Sequence, residues 1–288
     1  MNAEDYHLVR LANGTWSVRA VGQGETFHPV IGPAAEAEAL YVQQLRLRER
    51  VAASGTPFVL WDVGLGAAAN AVTALRATQD LPTPIRLFSF DRTLEPLRFA
   101  LEHAEALGYL GEYARHAHQL AARPKVPLRF RDGHREVSWE VHVADFPTFL
   151  GRPEAGLLPK PHAILYDAFS PATNPEMWTL AVFTNLYGLL DPARPCALPT
   201  YSRSTMLRVT LLLAGFWVGA GHATGQKEET TIAANTPELI EMPLDERWLR
   251  RARRSSSAEP LRTTAYRQHR LSTESWELLQ RHPQFQRG

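Results

Sequence analysis

The residues Asp62-Val63-Gly64-Leu65-Gly66-Ala67-Ala68-Ala69-Asn70 lie between a short apolar run and an alanine-rich stretch. Glycines there let the backbone turn tightly and approach a ligand that a Cβ would push away. A helix beginning just beyond offers unpaired N–H donors and a partial positive charge. Asp91 stands 25 residues after Gly66, where an acid can bind the hydroxyls of a ribose. This pattern suits a nucleoside cofactor, with NAD and S-adenosylmethionine the two candidates. It suits a tight strand-to-helix turn with a capping acid as well. Gly64-x-Gly66-x-x-Ala69 satisfies the relaxed dinucleotide fingerprint.

A second carboxylate, Asp167, opens the stretch Asp167-Ala168-Phe169-Ser170-Pro171-Ala172-Thr173-Asn174-Pro175. It ends an apolar run, at the place where open α/β sheets gather their ligands. The proline-rich loop behind it is stiff enough to hold the carboxylate still. An anion so placed can accept a hydrogen bond or a proton from an attacking amine. The plain alternative is a strand-end cap.

The elements that must position these groups alternate. FVLWDV (58–63), IRLFSFD (85–91) and HAILYDAF (162–169) read as strands, the first buried on both faces in the manner of parallel sheets. Residues 67–78, 93–107 and 174–190 read as helices, the last with Pro175 in its first turn. Strand and helix in alternation predict a doubly wound α/β sheet. Asn13-Gly14 predicts a two-residue hairpin turn near the N-terminus and Asp132-Gly133 a second one. Leu40, Val42, Leu45 and Leu47 trace one helical stripe after Pro33. PCALPTYS (195–202) reads as a strand interrupted by Pro199, followed by a helix over 204–216. FWVGAG and ETTIAAN form a terminal strand pair, which suits a methyltransferase-type sheet better than a dinucleotide fold. No later segment resembles a substrate domain for hydride transfer.

Composition narrows the classes. One cysteine, Cys196, excludes a disulfide framework and a cysteine-based zinc site. His116 and His118 lack the acids that a metal site needs, so no metal is expected. No P-loop or G-x-S-x-G elbow occurs. No apolar run approaches the ~20 residues of a membrane span. The N-terminus has no signal design, so a soluble, cytoplasmic protein is expected. The net charge of +1 is an average. From residue 247 onward ten arginines face three acids, Glu259, Glu274 and Glu277. This basic segment is free to meet phosphate. Within it, 251–268 reads as mobile and 271–280 as a short helix capped by Ser272 or Thr273.

The stretch DAFSPATNPEMWT resembles the D-G/A-F-A/S-P-x-x-N-P-x-M-W motif of the tRNA 5-methylaminomethyl-2-thiouridine methyltransferases, the MnmD enzymes and the methyltransferase domain of MnmC. HPVIGPAAEAEALYVQQLRL (28–47), DVGLGAAAN, LFSFD, VHVAD (141–145), TYS, AGF (214–216) and GQKEET (225–230) follow in the family's order. The resemblance covers roughly residues 25–235. It implies an α/β, class I methyltransferase-like (Rossmann-like) doubly wound sheet with a C-terminal antiparallel strand. An N-terminal β-hairpin extension (1–30) precedes this domain (31–242), and an arginine-rich C-terminal extension (243–288) follows it.

The implied activity is S-adenosyl-L-methionine-dependent N-methylation of 5-aminomethyl-2-thiouridine at the tRNA wobble position, giving 5-methylaminomethyl-2-thiouridine. A methyltransferase acting on a small-molecule amine or another RNA is the alternative, as is a non-catalytic tRNA-binding protein. By the same resemblance Asp62, Gly64, Gly66 and Asn70 belong to the cofactor loop, with Asn70 a hydrogen bonder at the helix start. Asp91 would hold the ribose and Asp145 the adenine. Asp167 would sit at the methyl-transfer centre, with Phe169, Pro171, Tyr201 and Ser202 on the substrate side. Lys227 and Glu229 match a family pattern of undetermined role. Leu65 stands for the usual Phe, Asp62 for Glu, and Ala68 for a glycine at a position read as already entering the helix. Thr205 and Val209 stand for a glycine and a basic residue. No FAD-type glycine fingerprint is present, so the oxidase activity of bifunctional relatives is not expected. Oligomeric state stays open.

Overall fold

Three short antiparallel strands come first: β1 (Tyr6–Arg10), β2 (Trp16–Ala20) and β3 (Glu25–Thr26). This computed structural model describes residues 6–224 and 228–286. Arg10 pairs with Trp16, so the β1–β2 loop has five residues rather than the two expected from Asn13-Gly14. Asn13 explains the difference. Its Oδ1 accepts from the N–H and hydroxyl of Thr15, at 3.1 and 2.7 Å, which widens the turn. Its Nδ2 donates to the Ile31 carbonyl at 3.0 Å.

The chain divides into two compact units. The first runs to Phe146 and takes in Ala163–Asp167. It contains β4 (Phe58–Val63), β5 (Ile85–Asp91), β6 (Leu128–Asp132), β7 (Arg135–Val143) and β8 (Ala163–Tyr166). Their order is β8-β4-β5-β7-β6, parallel except for β6. Every residue of β4 and β8 is buried, as continuous apolar runs require of strands covered on both faces. Asp132 pairs with Arg135, so the second hairpin turns on Gly133-His134, one residue later than expected. Gly133 takes φ +61° there.

The single helix expected after Pro33 is three pieces. A helix Pro33–Ala37 passes into a π-helical turn Glu38–Gln43, and Leu47–Ala52 is helical again. Arg46, at φ +48°, makes the break. The wider π turn buries three successive residues, Leu40, Tyr41 and Val42, where a regular stripe would bury every third or fourth.

The second unit holds β9 (Ala197–Thr200), β10 (Trp217–Gly221) and β11 (Thr230–Ala234), antiparallel in the order β10-β11-β9. Pro199 lies within β9, opposite Ile232, and does not end it. Pro175–Trp178 is a 3₁₀ turn, and the long helix starts only at Leu180, capped by Thr179. Glu246–Arg254 and Thr273–Gln280 are helices capped by Asp245 and Ser272. Glu259 anchors the second by accepting from the Ser272 N–H at 2.8 Å and the Ser275 hydroxyl at 2.8 Å. Ala258 and Leu261 are buried, so the segment read as mobile is tied into this unit at those two residues, whereas 262–268 are exposed and outside any helix or strand.

Candidate active site

In the first unit the chain moves outward from β4 to β5 and β7, then returns to β8 on the other side of β4. The order therefore reverses between β4 and β8, and the crevice beyond their carboxyl ends is where such sheets take ligands. Val63-Gly64 leaves one of these ends and Tyr166-Asp167 the other. The Asp167 N–H donates to the Val63 carbonyl at 2.9 Å, which fixes the two exits side by side.

The loop after β4 is shaped by its backbone. Gly64, Gly66 and Ala68 have φ of +91°, +51° and +62°. Ala68 is thus the N-cap of the helix Ala69–Ala77 in a left-handed conformation, not a residue inside it. An L-residue bears about 1–2 kcal/mol of strain there, which a glycine at that position would escape. Phe90 O receives the N–H groups of Gly64 and Leu65 at 2.9 and 3.2 Å, and the Tyr109 hydroxyl donates to Ala67 O at 2.7 Å. Gly66 N–H donates to Asp91 Oδ2 at 2.8 Å and Thr93 N–H to Oδ1 at 3.3 Å. Asp91 therefore both holds the loop and offers its remaining lone pairs, with burial raising its carboxyl above the ordinary value. Asp145, one strand over, accepts from Arg92 Nε and Nη2 at 2.8 and 2.6 Å.

Asp62 is wholly buried. Ser89 Oγ donates to its Oδ2 at 2.8 Å and accepts in turn from Trp139 Nε1 at 3.0 Å. Burial, with smaller repulsion from Asp167 and Asp91, pushes its carboxyl up to about 7. Among the described residues, Asp62 Oδ1 and Asn70 Oδ1 are buried acceptors without a hydrogen-bond partner. Bare backbone at two glycines beside these acceptors fits a ligand rich in donors, such as the amino group and ribose hydroxyls of a nucleoside amino acid.

Asn70 does not cap its own helix. Its Nδ2 donates to Asp167 Oδ2 at 2.7 Å. His28 Nε2 lies 3.5 Å from the same oxygen, and His28 Nδ1 lies 3.9 Å from Glu36 Oε2. Asp167 Oδ2 is thereby held from two sides. Its Oδ1 takes no hydrogen bond from the described residues and is left for a substrate. Tyr41 donates to the Tyr166 carbonyl at 3.1 Å and steadies the strand end.

The expected substrate-side residues belong to the second unit. Tyr201 donates to Ala168 O at 3.1 Å and packs edge-on to Trp178, whose Nε1 donates to Phe169 O at 2.7 Å. These bonds brace the loop that carries Phe169 and Pro171. Ser202 Oγ accepts from the Ser204 N–H at 3.2 Å and so turns the chain into the next helix. Val209 is fully buried in that helix, out of reach of any nucleic acid. Glu229 pairs with the buried Arg208 at 3.2 Å, whereas Lys227 lies outside the described residues.

Sequence reasoning missed His28, Glu36 and Arg92. The one available signal for His28 was its place at the head of the family-like segment 28–47.

Residues 113–236 match a family of S-adenosyl-L-methionine-dependent methyltransferases. That span contains Asp145, Asp167, Phe169, Pro171, Tyr201 and Ser202, and it starts beyond the glycine loop and Asp91. The tRNA 5-methylaminomethyl-2-thiouridine biosynthesis bifunctional protein MnmC of Methylibium petroleiphilum is 30% identical over 230 residues, covering 78% of this chain and 34% of that protein. The protein of the same name in Ectopseudomonas mendocina is 30% identical over 182 residues, covering 61% and 26%. This chain thus spans about a quarter to a third of the length of these curated relatives. In fold it is similar to the crystal structure of MNMC2 from Aquifex aeolicus, with TM-score 0.69 and 22% identity over 95% of this chain and 82% of that one.

Proposed function

From the match of residues 113–236 to the S-adenosyl-L-methionine-dependent methyltransferases, we propose that this chain methylates the aminomethyl nitrogen of 5-aminomethyl-2-thiouridine at the tRNA wobble position. When bound, S-adenosyl-L-methionine supplies an electrophilic methyl group on a sulfonium. Gly64 and Gly66 give its binding site an unencumbered backbone, and Asp62 and Asn70 lend buried acceptors. Asp91 takes the ribose hydroxyls and Asp145 the adenine edge.

One observation carries the choice of an amine substrate. Asp167 directly follows β8 at the switch point, with Oδ2 fixed by Asn70 and His28 and Oδ1 available. An amine nucleophile must be neutral to attack and must shed a proton once it has gained a methyl group. Oδ1 can orient its N–H beforehand and hold that proton afterward, and such positioning contributes several kcal/mol. The substrate follows from the kinship with the MnmC proteins, and a tRNA substrate puts the reaction in the cytoplasm.

The test is incubation with labelled S-adenosyl-L-methionine and tRNA carrying 5-aminomethyl-2-thiouridine, followed by nucleoside analysis. Appearance of 5-methylaminomethyl-2-thiouridine is expected. Label transferred only to small-molecule amines would move the substrate to that class.

A further inference from the structure

Four arginines of the helix Glu246–Arg254 stand at i, i+3, i+4 and i+7: Arg247, Arg250, Arg251 and Arg254. That spacing puts all four on one face, along about 10 Å of helix. Trp248, Leu249 and Ala252 anchor the opposite face, and all four arginines are exposed. Arg253 lies at the edge, its guanidinium 5.3 Å from the ring centre of Trp276. Together the five arginines and Trp276 line an open cleft of about 590 Å³.

This face keeps its charge where the rest of the basic segment loses some. Arg262 is paired with Glu259 and Glu274 at 3.5 Å each, and Arg281 with Glu277 at 3.9 Å. Among the described residues, Arg250 alone on the helix has an acid, Glu246 at 3.1 Å, an exposed pair worth little. Like charges at these spacings repel one another along a helix, so the stripe is a standing destabilisation that a polyanion relieves. Guanidinium groups match phosphate geometry bidentately, and an indole offers a stacking surface to an unpaired base. The helix also lies beyond the span matched by the methyltransferase family, which ends at residue 236.

We propose that this arginine face, with Trp276 beside it, is a docking surface for the phosphate backbone of RNA, built from residues other than those of the carboxylate centre. The proposal rests on an RNA substrate and assigns the part of the chain that grips it.

The experiment compares the full chain with R247Q/R250Q/R251Q/R254Q in binding tRNA carrying 5-aminomethyl-2-thiouridine, with S-adenosyl-L-methionine present, across 50–400 mM salt. Four lost phosphate contacts should lower the slope of log affinity against log salt by about 3. Affinity at low salt should fall at least tenfold, while S-adenosyl-L-methionine affinity by calorimetry stays the same. W276A should weaken binding without altering the slope. R123Q/R129Q/R131Q, which removes exposed arginines elsewhere, should leave the slope nearly unchanged. An undiminished slope in the quadruple variant, or an equal loss in the control, overturns the proposal. So does binding of the wild type to anionic vesicles in preference to tRNA. Methyl transfer read in the same samples separates the two levels. A wild type that binds tRNA through this face without methylating it removes the substrate assignment alone, and transfer with an unchanged slope removes the docking face alone.

Discussion

Asn70 and Asp167 are 97 positions apart, yet Asn70 Nδ2 donates to Asp167 Oδ2 at 2.7 Å. The bond ties the first turn of the glycine-loop helix to the end of β8, so the loop proposed to cradle the cofactor and the carboxylate proposed to meet the amine are set by one contact. Hydrogen bonds to charged groups are worth about 1.5–3 kcal/mol. Asn70→Ala should therefore cut kcat roughly ten- to a hundredfold by loosening the carboxylate. Asp167→Ala should abolish turnover and leave cofactor affinity largely intact. Steady-state kinetics with calorimetry decides it, and equal turnover in Asp167→Ala and wild type would remove the catalytic assignment.

His28 is the second hold on Asp167 Oδ2, and it sits in a left-handed backbone at φ +47°. Few side chains other than Asn, Asp and His take that conformation readily. Asn matches the backbone and is too short to span the 3.5 Å contact. His28→Asn should keep the melting temperature within a few degrees while kcat falls about tenfold and the KM for S-adenosyl-L-methionine barely moves. A fall in stability with kcat untouched would make His28 a folding residue only.

Asp91 and Asp167, the two carboxylates proposed for the ribose and the amine, were legible because each stands at the end of a run of apolar residues. In Ala163–Tyr166 the burial is uniform and in Ile85–Asp91 nearly so, so length and flanking proline sufficed to mark a strand. What holds those carboxylates was not legible. Asn70 and His28 reach Asp167 through topology, and nothing in their local spacing records a partner so far along the chain. Arg46 has an ordinary preference for helix, so its left-handed break could not be read from residue type. The Asn13 turn misled because the local dipeptide rule was overridden by side-chain bonds to Thr15 and Ile31.

Gly66 carries a steric prediction. A Cβ there would stand 3.3 Å from the Phe27 ring and would sit at φ +51°. Gly66→Ala adds about 1 kcal/mol of left-handed strain, or 2–4 °C of melting temperature for a unit of this size. It also displaces the N–H that holds Asp91. Weaker S-adenosyl-L-methionine binding by about tenfold is expected, with Asp167-dependent steps unaffected at saturation. Unchanged affinity would show that the loop does not approach the cofactor.

Asp62 gives stability a pH dependence of known sign. Its carboxyl is raised, chiefly by burial, from 3.8 to about 7, so the folded protein keeps a proton there that the unfolded chain has already released. Between about pH 4 and 7 the native state binds more protons than the unfolded one, and stability drops as pH rises through that window. By pH 8 the handicap amounts to roughly 4 kcal/mol as an upper bound. Asp62→Asn keeps an acceptor for the Ser89 hydroxyl and carries no charge to bury. Its advantage over the wild type should be small at pH 4.5 and largest at pH 8, in the ligand-free protein. Paired thermal melts at the two pH values measure it. An advantage independent of pH would mean that Asp62 is already neutral across the range, or is charged and stabilised by a cation-bearing partner.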